Sequence, residues 1–248
     1  LKGDPSIAGE VDRRLNWNYP YKKISAKSSK ANIADLKRRH NLWEDEGIAG
    51  DIFIPSLKKK PKFMMDEEGI PPVKRGQAIH TVFQHLDLSK DLSAEGIAGQ
   101  MDGMVARGLL ASDEAAGIDP KSISHFFQHP LGKELLESGL DNIHREVPFT
   151  LGLPADRVYP DLPRGDAADE KVVVQGIIDC FVEKPGGILV IDFKSDRIRN
   201  EGQLDERVKY YLGQLRFYTL ALERILQKPV IGVYLYFVFL GEAVKLDI

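Results

Sequence analysis

A mixed β-sheet flanked by helices, an α/β fold, is what these 248 residues predict, and three features carry that expectation. Two apolar runs, Val172 to Glu183 and Ile188 to Phe193, are separated by Lys184-Pro185-Gly186-Gly187, a turn signal that makes them neighbouring strands of a hairpin. Upstream, Ile79, Val82, Phe83 and Leu86 recur at i, i+3, i+4 and i+7, one apolar face of an amphipathic helix. Downstream, a helical stretch from about Gln203 to Leu226 leads into a closing hairpin, Val230 to Leu246, with its turn near Gly241-Glu242. Helices, then three strands, one helix and a last pair of strands indicate layers of helix on a mixed sheet.

The elements follow in order. Residues 1–69 are sparse in apolar side chains and carry basic clusters (Arg13-Arg14, Lys22-Lys23, Lys37-Arg38-Arg39, Lys58-Lys59-Lys60). They read as a connector, either plainly solvated or forming a phosphate-contacting strip. Within it Ser28-Ser29 before Ala31 to Leu36 resembles a helix start. The second region, 70–248, opens with the amphipathic helix from Gly76. Two or three short helices are expected between Leu92 and Gly139, with Asp119-Pro120 and His129-Pro130 as N-terminal signals. Ile143 to Leu151 is strand-like, and the Pro-, Asp- and Gly-rich residues 152–170 read as a long loop.

Composition narrows the function classes. The chain is 43% hydrophobic and 29% charged, as a globular protein is, and its net charge of −3 leaves room for nucleic-acid binding only as a local patch. The single cysteine, Cys180, excludes an internal disulfide, a cysteine-based zinc site and a four-cysteine iron–sulfur cluster, and points to a reducing, cytoplasmic setting. No apolar run approaches the roughly 18–20 residues of a membrane span. A start at Leu1 rather than Met is expected of a fragment of something longer.

Chemistry concentrates in the hairpin. Asp179 ends Gly176-Ile177-Ile178-Asp179 and Asp192 sits in Ile191-Asp192-Phe193-Lys194. A carboxylate inside an apolar strand is costly unless paired or metal-bound, and here the anomaly occurs twice. Asp192 and Lys194 point the same way along their strand, and Asp179 can reach them from the neighbour. Two facing carboxylates repel without a cation, so a divalent metal held through oxygen is the economical explanation. Lys194 would then orient or deprotonate a water, its pKa lowered by burial, and offset charge on a phosphate. Glu146, in Arg145-Glu146-Val147-Pro148-Phe149, is either an exposed strand glutamate or a further member of the acidic set. His80 lies beside the apolar face of its helix, where imidazole can supplement oxygen ligands for Mg²⁺ or Mn²⁺. Gln214 and Tyr218, at i and i+4, share a helix face. They belong either to a packed stripe or to a surface that meets DNA.

Together these pieces resemble the RecB-like nucleases of the PD-(D/E)XK superfamily: Gly76-x-x-x-His80, Glu146, Gly176-Ile-Ile-Asp179, Asp192-Phe-Lys194 and Gln214-x-x-x-Tyr218. Within it, the stretches around His80, Asp179 and Asp192 and the upstream Arg14-Leu-Asn-Trp-Asn-Tyr-Pro20 look like the nuclease part of AddA-type helicase–nucleases. The resemblance implies a restriction-endonuclease-like fold over 70–248, joined by 1–69 to a helicase part of the same parent chain. It also implies a catalytic Mg²⁺, with Mn²⁺ as substitute, held by His80, Asp179, Asp192 and the backbone carbonyl of Phe193, with Lys194 as the catalytic lysine. Glu146 would join the active-site acids, and Gln214 and Tyr218 would support the site or the DNA. The implied partners are single-stranded DNA and an AddB-type protein, with no membrane, and the implied setting is the processing of double-strand breaks for recombinational repair. Phe193 and Ser195 stand where the family often has Tyr and Thr. No G-x-x-x-x-G-K-[ST] loop is present, so helicase activity cannot reside here. The rival reading is a non-catalytic DNA-binding or docking module on the same fold; a stand-alone RNA nuclease is the third.

Overall fold

The computed structural model describes residues 5–17, 22–33, 71–159, 161–162 and 169–248. In chain order the elements are α1 (Pro5–Leu15), α2 (Lys22–Ser25), β1 (Lys30–Asn32), α3 (Pro72–His85), α4 (Ala94–Ala106), α5 (Ser112–Ala116), α6 (Pro120–Gln128), α7 (Pro130–Glu137), β2 (Ile143–Pro154), α8 (Ala155–Val158), β3 (Lys171–Lys184), β4 (Gly187–Lys194), α9 (Glu201–Leu226), β5 (Val230–Phe237) and β6 (Glu242–Leu246). The strands form a mixed sheet of six in the order β1-β3-β4-β5-β6, with β2 also paired to β3. The α/β expectation holds.

The chain forms two compact units, residues 1–32 with 151–175, and residues 33–150 with 176–248. In the smaller unit, β1 pairs parallel to β3, Lys30 opposite Val173 and Asn32 opposite Gln175. Of the helix start expected at Ser28-Ser29 before Ala31 to Leu36, Lys30–Asn32 are a strand instead, Ile33 is helical, and residues 34–36 lie outside the described residues. The Ser28 hydroxyl bonds the Lys30 carbonyl instead of capping a helix, because a long-range ladder outweighs a local capping pattern. Tyr159, 2% exposed, donates its hydroxyl to the Ser28 carbonyl at 2.6 Å. Much of the expected 1–69 connector lies outside the described residues.

The larger unit holds the main core. β3 and β4 pair antiparallel from Lys184↔Gly187 to Cys180↔Ile191, as the turn signal requires. β4 and β5 pair parallel, joined by the α9 crossover, and β5 and β6 close as a hairpin. Side chains alternate along β4. Leu189, Ile191 and Phe193 face a cluster with Cys180, Val182, Tyr236 and the apolar faces of α3, α4 and α6. Phe193 stacks on Phe83 at 3.9 Å between ring centroids and meets Phe126 edge-on at 5.0 Å. Burying an aromatic this fully stabilises by roughly 1.5–3 kcal/mol.

Four helices, not two or three, fill the stretch between Leu92 and Gly139. The sequence signals at two of them are correct: Asp119 accepts from the Lys121 amide, and His129 Nδ1 accepts from the Leu131 amide. The extra one, α5, is a single turn started by Glu114, whose carboxylate reaches back to the Ala111 amide. The expected 152–170 loop is a correction too, since it contains the end of β2 and α8.

Candidate active site

The even-numbered face of β4 carries the chemistry. Asp192 is 0% exposed and Lys194 is 8% exposed, one pleat apart, and their charged ends form an ion pair. The β3–β4 register runs to Cys180↔Ile191, so the next position places Asp179 opposite Asp192. There the Phe193 amide donates to Asp179 Oδ2 at 3.0 Å, fixing that carboxylate with a backbone bond. Helix α9 covers this face. Tyr211, Leu215, Tyr218 and Leu222 form its buried stripe, at the i, i+4, i+7, i+11 spacing of one helix side.

Two more groups enter from other elements. His80 on α3 places Nδ1 at 3.1 Å from Glu146 Oε1 and 3.5 Å from Asp179 Oδ2. Glu146 has φ 50°, a left-handed backbone inside a strand, rare for a residue with a side chain and costing on the order of 1 kcal/mol or more. Its neighbour Arg145 donates to the carbonyls of Phe83 and Leu86 at 2.8 and 2.7 Å, capping the end of α3 and tying it to β2. His80, Glu146 and Asp179 each offer one ligand atom, all within 4.8 Å of one another.

The electrostatics describe a site short of positive charge. Burial and the nearby Asp179 raise the Asp192 carboxyl to about 6, although Lys194 pulls the other way. Burial works against a charged His80, but Asp179 and Glu146 outweigh it and raise the imidazole to about 9. Burial also opposes a charged Lys194, yet Asp192 and Asp179 prevail and hold the ammonium above its ordinary value. This corrects the expectation that burial lowers it: the facing carboxylates are the stronger influence. Asp192 Oδ2 is buried and, beyond its ion pair with Lys194, accepts no hydrogen bond among the described residues. Hard oxygens and one imidazole, two of them crowded against like charge, fit a divalent cation.

The geometry brings together His80, Glu146, Asp179, Asp192 and Lys194. It also brings in Gln214, whose amide donates to Asp192 Oδ1 at 3.2 Å and to the Tyr218 hydroxyl at 2.6 Å. Tyr218 is 3% exposed, with its phenol pushed well up by burial and by Asp179 and Asp192. Tyr218 therefore presents almost no surface, while the half-buried Gln214 bonds Asp192 from the helix side. Sequence reasoning places Tyr211 with Gln214 and Tyr218, in a packed stripe or a DNA-facing helix, and gives it no tie to Lys194 or Asp196. Its ring lies 4.4 Å from Lys194 Nζ, and its hydroxyl donates to Asp196 Oδ2 at 2.6 Å, with Arg207 at 3.3 Å from the other Asp196 oxygen. The one available signal is Asp196 itself, two residues past Lys194.

Known proteins match this chain over most of its length. An ATP-dependent helicase/nuclease protein of Moorella thermoacetica is 40% identical over 235 residues, 95% of this chain and 16% of that protein. The protein of the same name from Desulforamulus reducens is 35% identical over 98% of this chain and 19% of its own length. That from Clostridium acetobutylicum is 36% identical over 96% and 19%. The chain thus spans less than a fifth of these relatives. Residues 55–245 match the family described as the PD-(D/E)XK nuclease superfamily, a stretch containing every site residue named above. The chain belongs to that superfamily.

Proposed function

We propose that this chain is the nuclease part of a helicase–nuclease, hydrolysing DNA phosphodiesters with Mg²⁺, or Mn²⁺ in its place. The observation that carries this is the close approach of His80, Glu146 and Asp179 beside the buried Asp192–Lys194 pair. Asp179, Asp192, His80 and the Phe193 carbonyl would hold the cation, and Glu146 is placed to join them or to fix His80. When bound, the ion supplies Lewis-acid charge at the scissile phosphate and lowers the pKa of water.

The chain's own groups do the rest. Phe193 keeps Asp179 oriented through its amide, and Gln214 does the same for Asp192. Lys194, held charged by its two carboxylates, suits stabilising negative charge on the phosphate oxygens better than taking a proton from water. Tyr211 presents its ring face to that ammonium, an attraction of roughly 0.5–2 kcal/mol that restricts where Nζ can sit. The relatives' name pairs a helicase with a nuclease. Single-stranded DNA delivered by a helicase part of the same parent chain is therefore the proposed substrate, an AddB-type protein the proposed partner, and break-end processing the proposed role.

The test is direct. Labelled single-stranded DNA is incubated with the purified chain in EDTA and then with Mg²⁺ or Mn²⁺. Cleavage is expected with either ion and is expected to disappear in Asp192→Ala and Lys194→Ala. DNA left intact by the wild-type chain with both ions, while still bound, would favour the docking-module reading instead.

A further inference from the structure

A groove of about 620 Å³ lies beside the site, with Arg75, Ser195, Arg197, Arg199, Arg207 and Tyr211 among its walls. Three segments build it: the first turn of α3, the residues following β4, and the first turns of α9. The α3 wall stands close, since a Cβ on Gly76 would meet Ser195 Oγ at 3.0 Å. Among the described residues, four arginines face only two acids there, Asp196 and Glu206, so the groove is positive in a chain whose net charge is −3. Two of its lining residues adjoin the site. Ser195 follows Lys194 directly, and the Tyr211 ring that lines the groove is the one 4.4 Å from Lys194 Nζ.

The guanidinium groups are arranged rather than loose. Arg75 and Arg197 both lie over the Phe239 ring, at 5.3 and 5.6 Å. Arg207 lies over Tyr210 at 5.8 Å and reaches Asp196. Stacking on rings leaves the planar N–H forks directed, which suits two-point contact with phosphate oxygens. The positive end of α9, a 26-residue helix, adds to the field. Arg75 is buried, 2% exposed, and lends charge from the floor of the groove. The exposed forks of Arg197, Arg199 and Arg207, on two segments, exceed what a single phosphate can use, whereas a polynucleotide offers one phosphate per nucleotide.

We infer that this groove binds the phosphodiester backbone of a nucleic-acid strand on the flank of the phosphate that faces Lys194. The inference rests on the nuclease reading above and adds the path of the strand. Its test uses the full chain and a fluorescent oligothymidylate, titrated by anisotropy in Ca²⁺ over a range of salt. Arg197→Ala/Arg199→Ala removes two side chains that touch none of the metal-site residues. Each phosphate contact contributes about 0.7 to the logarithmic salt slope of single-strand binding, so the slope should fall by about 1.4 and affinity at 0.1 M salt by about 25-fold. Arg197→Lys/Arg199→Lys should keep most of the slope. Lys121→Ala/Lys133→Ala, on helices that line no part of the groove, should change neither quantity.

A second arm measures Mn²⁺-supported hydrolysis of bis(p-nitrophenyl) phosphate, which has no flanking nucleotides and should be hydrolysed equally by wild type and by the arginine-to-alanine variant. Unchanged affinity and slope in that variant would overturn the groove, as would an equal loss in the distant lysine pair. A wild-type chain that hydrolyses neither substrate, yet loses its salt slope with Arg197 and Arg199, would sink the nuclease reading while upholding the groove.

Discussion

Replacing Asp192 with asparagine should make the metal-free protein more stable while destroying its activity. An ordinary aspartate titrates near 3.8, and burial with Asp179 opposite raises Asp192 to about 6. At neutral pH the side chain is ionised in both folded and unfolded chains, so this gap is a cost of folding, roughly 3 kcal/mol. The Lys194 attraction is already contained in it, because the shift compares the charged and neutral forms in the presence of that lysine. Asparagine has the shape of the neutral acid and should recover most of the cost, a rise in melting temperature of about 6–12 °C for a chain this long. The sign with pH follows from the raised value. Wild-type stability relative to the variant is greatest below about 3.8 and is lost as pH climbs through about 6, so the variant's advantage should be full at pH 7 and absent near pH 3.5.

Denaturant unfolding of both proteins in EDTA at several pH values measures this directly. Saturating Mn²⁺ should then narrow or reverse the order, because a ligand that binds only the folded state stabilises in proportion to the logarithm of its excess over Kd. A variant less stable than wild type in EDTA at pH 7 would refute the reasoning. It would mean that the buried carboxylate is satisfied without a cation, and the strongest physical sign of a metal site would be gone.

Three further outcomes are expected. Gln214→Ala removes the amide that bonds both Asp192 and Tyr218, and Mn²⁺ affinity read by electron paramagnetic resonance should fall about 10-fold or more with single-strand affinity unchanged; equal Mn²⁺ affinity would count against the brace. At Glu146, where φ is 50°, glycine should be about 1 kcal/mol more stable than glutamine in urea unfolding while both weaken metal binding; a less stable glycine variant would show that the backbone there is unstrained. His80, raised to about 9 by Asp179 and Glu146 despite burial, contributes stability that is full below pH 6.5 and lost as pH rises through 9. The wild type in EDTA should therefore lose stability across that range relative to His80→Gln, and parallel pH profiles would contradict it.

Much of the site was legible because burial makes charge conspicuous. Asp179 and Asp192 stood out as carboxylates inside apolar strands, and the Pro185-Gly186 turn set them opposite one another. What stayed hidden depended on distance along the chain. The smaller unit's β1 is a strand only because Val173 to Gln175 lie alongside it, and no local pattern in Ser28 to Asn32 says so. Tyr211 reads as one more aromatic on a helix until folding carries it across 15 residues to Asp196. The direction of the Lys194 shift was misread for a related reason. A buried lysine taken alone titrates lower, but two carboxylates placed by the fold outweigh desolvation.

The position of the site follows from where the hairpin ladder stops. The β3–β4 pairs run inward from the turn and end at Cys180↔Ile191. One step further on, the Phe193 amide is bonded by the Asp179 carboxylate. Backbone donors in a strand need partners, so ending a ladder in the interior is costly unless a side chain takes over. Asp179 does so, and with that bond its carboxylate is both oriented and confined opposite Asp192. The same Phe193 buries its ring between Phe83 and Phe126 on the far face. A single residue thus couples the core to the candidate metal ligands: its ring fixes the strand in depth, and its amide fixes the acid in direction. Phe193→Ala should consequently act on two quantities, costing about 3–5 kcal/mol of stability and weakening Mn²⁺ binding. Phe193→Tyr keeps the ring and the amide and should spare the metal. If the alanine variant, where folded, bound Mn²⁺ as the wild type does, the core and the site would be independent and this coupling would be wrong.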